Sequence, residues 1–121
     1  MSTHNCHVFG TLVYSQSISY HELQEVEQAL MAQIQDVLAQ YDAVHLDFWG
    51  YGDLLRLECG LEQFDPEALA DCCRELAAFL PDGVSARVLG IDKNLKQVAV
   101  FGLWPGVVRQ EAVDLRELLG R

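Results

Sequence analysis

Residues 43–61, AVHLDFWGYGDLLRLECGL, constrain the fold more than any other stretch of the chain. Two runs of alternating side chains flank Gly50-Tyr51-Gly52-Asp53, the pattern of a β-hairpin. Folding about Tyr51-Gly52 pairs Phe48 with Leu55, Leu46 with Leu57 and Val44 with Cys59. The same fold sets Trp49 opposite Leu54, Asp47 opposite Arg56 and His45 opposite Glu58. One face is then apolar, and the other carries an indole, an imidazole, two carboxylates and a guanidinium. A slip of one residue would send Asp47 and Glu58 to the face of Leu46 and Phe48, so this sorting is strongly specified.

The flanking segments supply a sheet and two helices. Residues 6–15 read as a central strand, because both alternating sets are partly apolar. Ser19 and Glu22 have capping-box spacing, and Ile18 with Leu23 has that of a hydrophobic staple. Leu23, Val26, Leu30, Ile34, Val37, Leu38 and Tyr41 then recur on one face of a helix over 20–41. Asp65-Pro66-Glu67 opens a second helix, with Asp65 as cap and Pro66 at the first helical position. Pro81-Asp82-Gly83 ends it. Residues 84–91 and 96–104 read as a second hairpin, with Asn94 at a left-handed turn position and Asp92 opposite Lys96. Trp104-Pro105-Gly106 breaks that strand, and a short helix is predicted over 110–119.

This order implies a single α+β domain over residues 1–121. The first six elements match the ferredoxin-like split β-α-β pattern, βαββαβ. The fifth strand extends an antiparallel-rich sheet to the order 2-3-1-4-5, with both helices on one face.

The other sheet face is where function is expected. The hairpin places His45, Asp47, Trp49, Leu54, Arg56 and Glu58 there. If Val8 and Leu12 face the helices, the first strand adds His7, Phe9, Thr11 and Val13. If Val98 and Val100 face the helices, the fifth adds Ala99, Phe101 and Leu103. So much apolar surface calls for a cover: the terminal helix, a second copy, or another partner or ligand. Trp49, Phe9 and Arg56 are of the types that anchor interfaces.

Composition narrows the partners. Eighteen acidic side chains against eight Lys and Arg give a net charge of −10. That lacks the basic footprint of a nucleic-acid binder and disfavours anionic membrane surfaces, but it suits a basic partner. No apolar run approaches the roughly 18 residues of a spanning helix, and the amino terminus lacks a secretory pattern, so the cytoplasm is expected. The four cysteines, two of them adjacent, read as small reduced core residues.

Chemistry is legible only in fragments. His45, Asp47 and Glu58 would supply a general acid and base, but no nucleophile or oxyanion arrangement accompanies them, and the simpler reading is cross-strand ion pairing. Cys59 and His45 project to opposite faces. Cys72-Cys73 diverge around their helix and lack zinc-site spacing. His4, Cys6 and His7 resemble a metal cluster, and Ser2-Thr3-His4 would chelate Cu(II) or Ni(II) once Met1 is removed, a motif that arises by chance at free amino termini. No glycine pattern forms a phosphate loop, and no cofactor is expected.

The expected function is therefore a non-enzymatic protein–protein interaction module, dimerising or binding a partner through the sheet face. One alternative is an acidic immunity- or antitoxin-type inhibitor of a basic effector. The others are a small-ligand binder and a small enzyme using His45, Asp47 and Glu58.

Overall fold

The computed structural model describes residues 4–111. The elements run β1 (Cys6–Tyr14), α1 (Tyr20–Gln40), β2 (Val44–Gly50), β3 (Leu54–Leu61), α2 (Pro66–Ala78), β4 (Val84–Asp92), β5 (Val98–Trp104) and β6 (Val107–Glu111). All strands pair antiparallel in one six-stranded sheet of order β2-β3-β1-β4-β5-β6. The five-strand order expected from sequence is thus incomplete, because a further strand lies beyond β5.

Both helices begin where their caps dictate. The Ser19 hydroxyl accepts the Glu22 amide at 3.2 Å. The Asp65 carboxylate accepts the Glu67 and Ala68 amides at 3.0 and 3.3 Å, with Pro66 next in the chain. Each satisfies amides that the first turn leaves without intrahelical partners. Leu30, Ile34 and Leu38 of α1 and Leu69, Cys73 and Leu76 of α2 form one buried cluster with Val8, Leu12, Leu55, Leu57, Cys59, Val88 and Phe101 of the sheet. Leu69 packs so closely on β4 that a Cβ at Gly90 would lie 2.6 Å from its Cδ1.

The first hairpin turns one residue later than expected. Tyr51 donates its amide to Leu54 O at 2.9 Å, and Gly52 takes φ +80°. The ladder therefore pairs Gly50 with Leu55, Trp49 with Arg56, Phe48 with Leu57 and Asp47 with Glu58. Moving the centre of a hairpin by one residue changes each partner by two. Partners change but faces do not, since side chains alternate with period two. Beyond Asp47 the ladder bulges. His45 takes φ +57°, and Val44 pairs with Gly60 rather than with Cys59. The bulge puts Val44, not its expected alternate, on the outer side.

Three further expectations are corrected. On β5 the inward set is Ala99, Phe101 and Leu103, all buried, and Phe101 has 0% exposure. Both sets on this strand are apolar, so periodicity could not choose between them; pairing of Phe101 with Val88 and Leu103 with Ala86 does. In the β4–β5 loop the left-handed residue is Leu95, at φ +60°, not Asn94. Asp92 organises that turn by accepting the Lys96 and Gln97 amides at 2.6 and 3.0 Å, while its own amide donates to Gln97 O at 3.0 Å. Asp92 thus faces Gln97, not Lys96. Finally, Pro105-Gly106 is a hairpin turn, with Gly106 at φ +71°, so residues 107–111 return as a strand. The helix expected over 110–119 is therefore strand at Gln110 and Glu111, and its remaining residues lie outside the described part of the chain.

Candidate functional site: the open sheet face

Residues paired across an antiparallel ladder share a face, so the register defines the surface away from the helices. It carries Val44, Asp47 and Trp49 of β2, then Leu54, Arg56 and Glu58 of β3. His7, Phe9, Thr11 and Val13 follow on β1, and Ser85, Arg87, Leu89 and Ile91 on β4. Val98, Val100 and Trp104 of β5 and Val107, Arg109 and Glu111 of β6 complete it. Phe9, Trp49 and Trp104 remain 37%, 42% and 41% exposed on this face, and Val13, Val44 and Val107 are exposed beside them. A sheet face with two indoles and a phenyl ring in contact with water is unusual for an isolated chain.

Local chemistry holds the large side chains in place. The Trp104 ring lies over Gly102, where a Cβ would come within 2.8 Å of Cη2. The Arg109 guanidinium sits 5.8 Å from the Trp104 ring, and Arg56 sits 5.6 Å from the Tyr51 ring, both within cation–π range. Arg87 Nη2 reaches Glu111 Oε1 at 3.1 Å across β5. A groove of about 460 Å³ runs between Phe9, Thr11, Arg87, Leu89, Gly102 and Trp104.

Trp49, Arg56, Glu58, Asp47 and Phe9, all expected here, do share the face, but not in the expected pairs. Asp47 faces Glu58, and Arg56 faces Trp49. His45 is drawn away by the bulge: its ring packs edge-on to His4, centroids 5.7 Å apart, and among the described residues no hydrogen bond joins it to Glu58. The acid–base trio is therefore not assembled. The sequence reading missed Trp104, Arg87 and Arg109, which reach the face only through the register of β4, β5 and β6. The one sequence signal for them was the Pro105-Gly106 turn, which makes Trp104 and Val107 cross-strand neighbours.

The cysteines offer no nucleophile. All four are buried and free. Burial pushes the Cys59 and Cys72 thiols up to about 12, and raises Cys6 and Cys73 as well. Cys6 has 0% exposure and points to the opposite face from His7, which dissolves the His4–Cys6–His7 cluster. Among the described residues, no three His, Cys, Asp or Glu side chains are grouped so that they could hold a metal ion, and no helix is long and apolar enough to cross a membrane. No protein-family model matches this sequence, and comparison with curated proteins finds no significant similarity.

Proposed function

We propose that this chain is a non-enzymatic interaction module that forms a two-fold dimer through its open sheet face. The observation that carries the reading is the charge balance of that face. The chain as a whole stands at −10. Among the described residues of this face, however, Asp47, Glu58 and Glu111 are matched by Arg56, Arg87 and Arg109, three against three. An acidic molecule that meets its own copy must do so through a patch without net negative charge, or like-charge repulsion opposes contact. The exposed Phe9, Trp49 and Trp104 supply the apolar area, and the arginines are residues typical of interface centres. The same balance disfavours the inhibitor reading, in which a basic effector would seek the acidic surface elsewhere.

Within this proposal, β1 to β4 with α1 and α2 are a ferredoxin-like unit extended at one edge by β5 and β6. The partial order β2-β3-β1-β4 and its antiparallel pairs support that reading. Four free thiols support a reducing compartment, the cytoplasm.

Size exclusion with light scattering tests the dimer. A mass of twice the 13.6 kDa chain at tens of micromolar is expected, shifting to the single-chain mass in Trp49→Ala and Trp104→Ala with unchanged circular dichroism. A wild-type chain that stays monomeric at several hundred micromolar removes the proposal.

A further inference from the structure

A cavity of about 460 Å³ opens at the corner of the sheet where β1 begins and β4 turns into β5. Its volume lies within the roughly 300–1,000 Å³ usual for small-molecule sites. Phe9, Ile91 and Leu95 form apolar walls, and Lys93 is the cation among the lining residues. From this combination we infer that the cavity binds a small aromatic monocarboxylate, its ring among the apolar side chains and its carboxylate toward the Lys93 ammonium. The site goes beyond the dimer reading, because among the described residues its lining includes neither Trp49 nor Trp104.

The backbone around the cavity is tied down from three directions. The Asn5 amide donates to Leu61 O and Glu62 O at 3.1 and 3.0 Å, and the Asn5 carbonyl accepts the Lys93 amide at 2.7 Å. The entry to β1, the end of β3 and the β4–β5 turn are thereby joined at one residue. Three rings line one side. His4 and His7 lie 15° from parallel with centroids 4.9 Å apart, joined by an Nε2–Nε2 hydrogen bond of 2.9 Å, and Phe9 meets His7 edge-on at 6.0 Å. Gly60 leaves room for this stack, since a Cβ there would come within 2.7 Å of His4 Cδ2. A row of ring faces and edges favours a planar, aromatic ligand body. A lining ordered in advance loses less freedom on binding.

Charge selects the sign of the ligand. Lys93 and Lys96 are the two lysines of the sequence, and both fall in this one turn. Among the described residues neither is in a salt bridge. Asp92, the acid of the lining, accepts the Lys96 and Gln97 amides through one carboxylate oxygen at 2.6 and 3.0 Å, so its charge is bound into the turn. In a molecule of net charge −10 the corner is thus a local source of positive potential, which attracts an anion. Lys93 is exposed, so its pairing with a carboxylate contributes little, and the apolar walls supply most of the affinity. Leu95 is the second observation. It takes φ +60° and is 68% exposed, a strained residue whose side chain gains little burial from the protein itself. Strain of this kind clusters at ligand clamps, and a ring in the cavity covers the leucine.

Titration of the full chain with phenylacetate, followed by backbone amide NMR shifts, tests the assignment. Saturable shifts at Asn5, Phe9, Lys93 and Leu95 are expected, with a Kd on the order of 0.1–1 mM. Lys93→Glu should weaken binding about threefold or more. Leu95→Gly, which removes an apolar wall, should weaken it about fivefold or more. Arg74→Gln, a cation lost from α2 instead, should leave it unchanged, and unaltered circular dichroism verifies that each variant is folded. Benzylamine reverses the charge on a similar ring and acetate keeps the charge without the ring, so neither should saturate below about 10 mM. Trp49→Ala, which tests the dimer, should bind phenylacetate as the wild-type chain does, so the two readings stand or fall separately. Absence of saturable shifts with phenylacetate up to about 10 mM, equally strong binding of benzylamine, or binding indifferent to both Lys93→Glu and Leu95→Gly overturns the site.

Discussion

Asp47 and Glu58 stand directly opposite each other on the β2–β3 ladder, two carboxylates on one face, and among the described residues neither is in an ion pair. Arg56, which a hairpin folded about Tyr51-Gly52 would set opposite Asp47, turns to Trp49 across the strand and to the Tyr51 ring. The later turn at Gly52 creates this arrangement, since it slides the partners of Asp47, Phe48 and Trp49 by two positions.

Like charges directly opposite on a sheet are destabilising, by roughly 0.2–1 kcal/mol. Asp47→Asn should therefore raise the urea midpoint of the monomer by an amount in that range. The gain should shrink when Glu58→Gln is already present, and it should be larger at low ionic strength. An unchanged midpoint in the single variant would show that solvent already screens the pair.

The two aromatic residues Trp49 and Phe101 should respond in opposite ways. Phe101 has 0% exposure between the sheet and the helices, so Phe101→Ala should cost about 3–5 kcal/mol in chemical denaturation. Trp49 is 42% exposed, and Trp49→Ala should cost the isolated chain about 1 kcal/mol or less while weakening self-association. Equal stability losses for the two would mean that the indole belongs to the core.

Leu95 has φ +60° and is 68% exposed, so it carries strain and buries little. A left-handed conformation costs an L-residue about 1–2 kcal/mol, less what glycine loses in chain entropy. Leu95→Gly should raise stability by up to about 1 kcal/mol, read as a higher melting temperature. A lower one would show that the leucine side chain packs against the cavity beside His7 and Phe9.

Stability should fall on the alkaline side. Burial raises all four thiols above their ordinary value of 9.0. Burial also raises the Tyr14 and Tyr41 phenols above 10.0, reinforced by hydrogen bonds to Glu27 at 3.0 Å and to Glu75 at 2.6 Å. A raised folded value means that the unfolded chain loses its protons first. This contribution is intact below pH 9 and declines as pH rises from there through the folded values, about 12 for Cys59 and Cys72. Urea midpoints at pH 6.5, 7.5 and 10.5 should be level over the first interval and drop over the second. A flat profile to pH 10.5 would contradict the burial of these groups.

Much of this molecule is local information, and the sequence alone determined it. Ser19, Asp65 and Pro66 start their helices because caps act within one turn of chain. The separation of Asp47, Trp49, Arg56 and Glu58 from Phe48, Leu55 and Leu57 survives the shifted turn, because alternation depends only on period. Tertiary structure decided what local rules leave degenerate. Both alternating sets of β5 are apolar, so only pairing with β4 could turn Phe101 inward and Val100 outward. The bulge at His45 depends on how β2 meets β3, and it brings that imidazole to His4, about forty residues away along the chain. Trp104, Arg87 and Arg109 share a surface because ladder register, a long-range property, sets them side by side. Helix caps and strand alternation are energies of neighbours in sequence; which strand faces meet, and at what offset, is settled only by burial shared across the whole sheet.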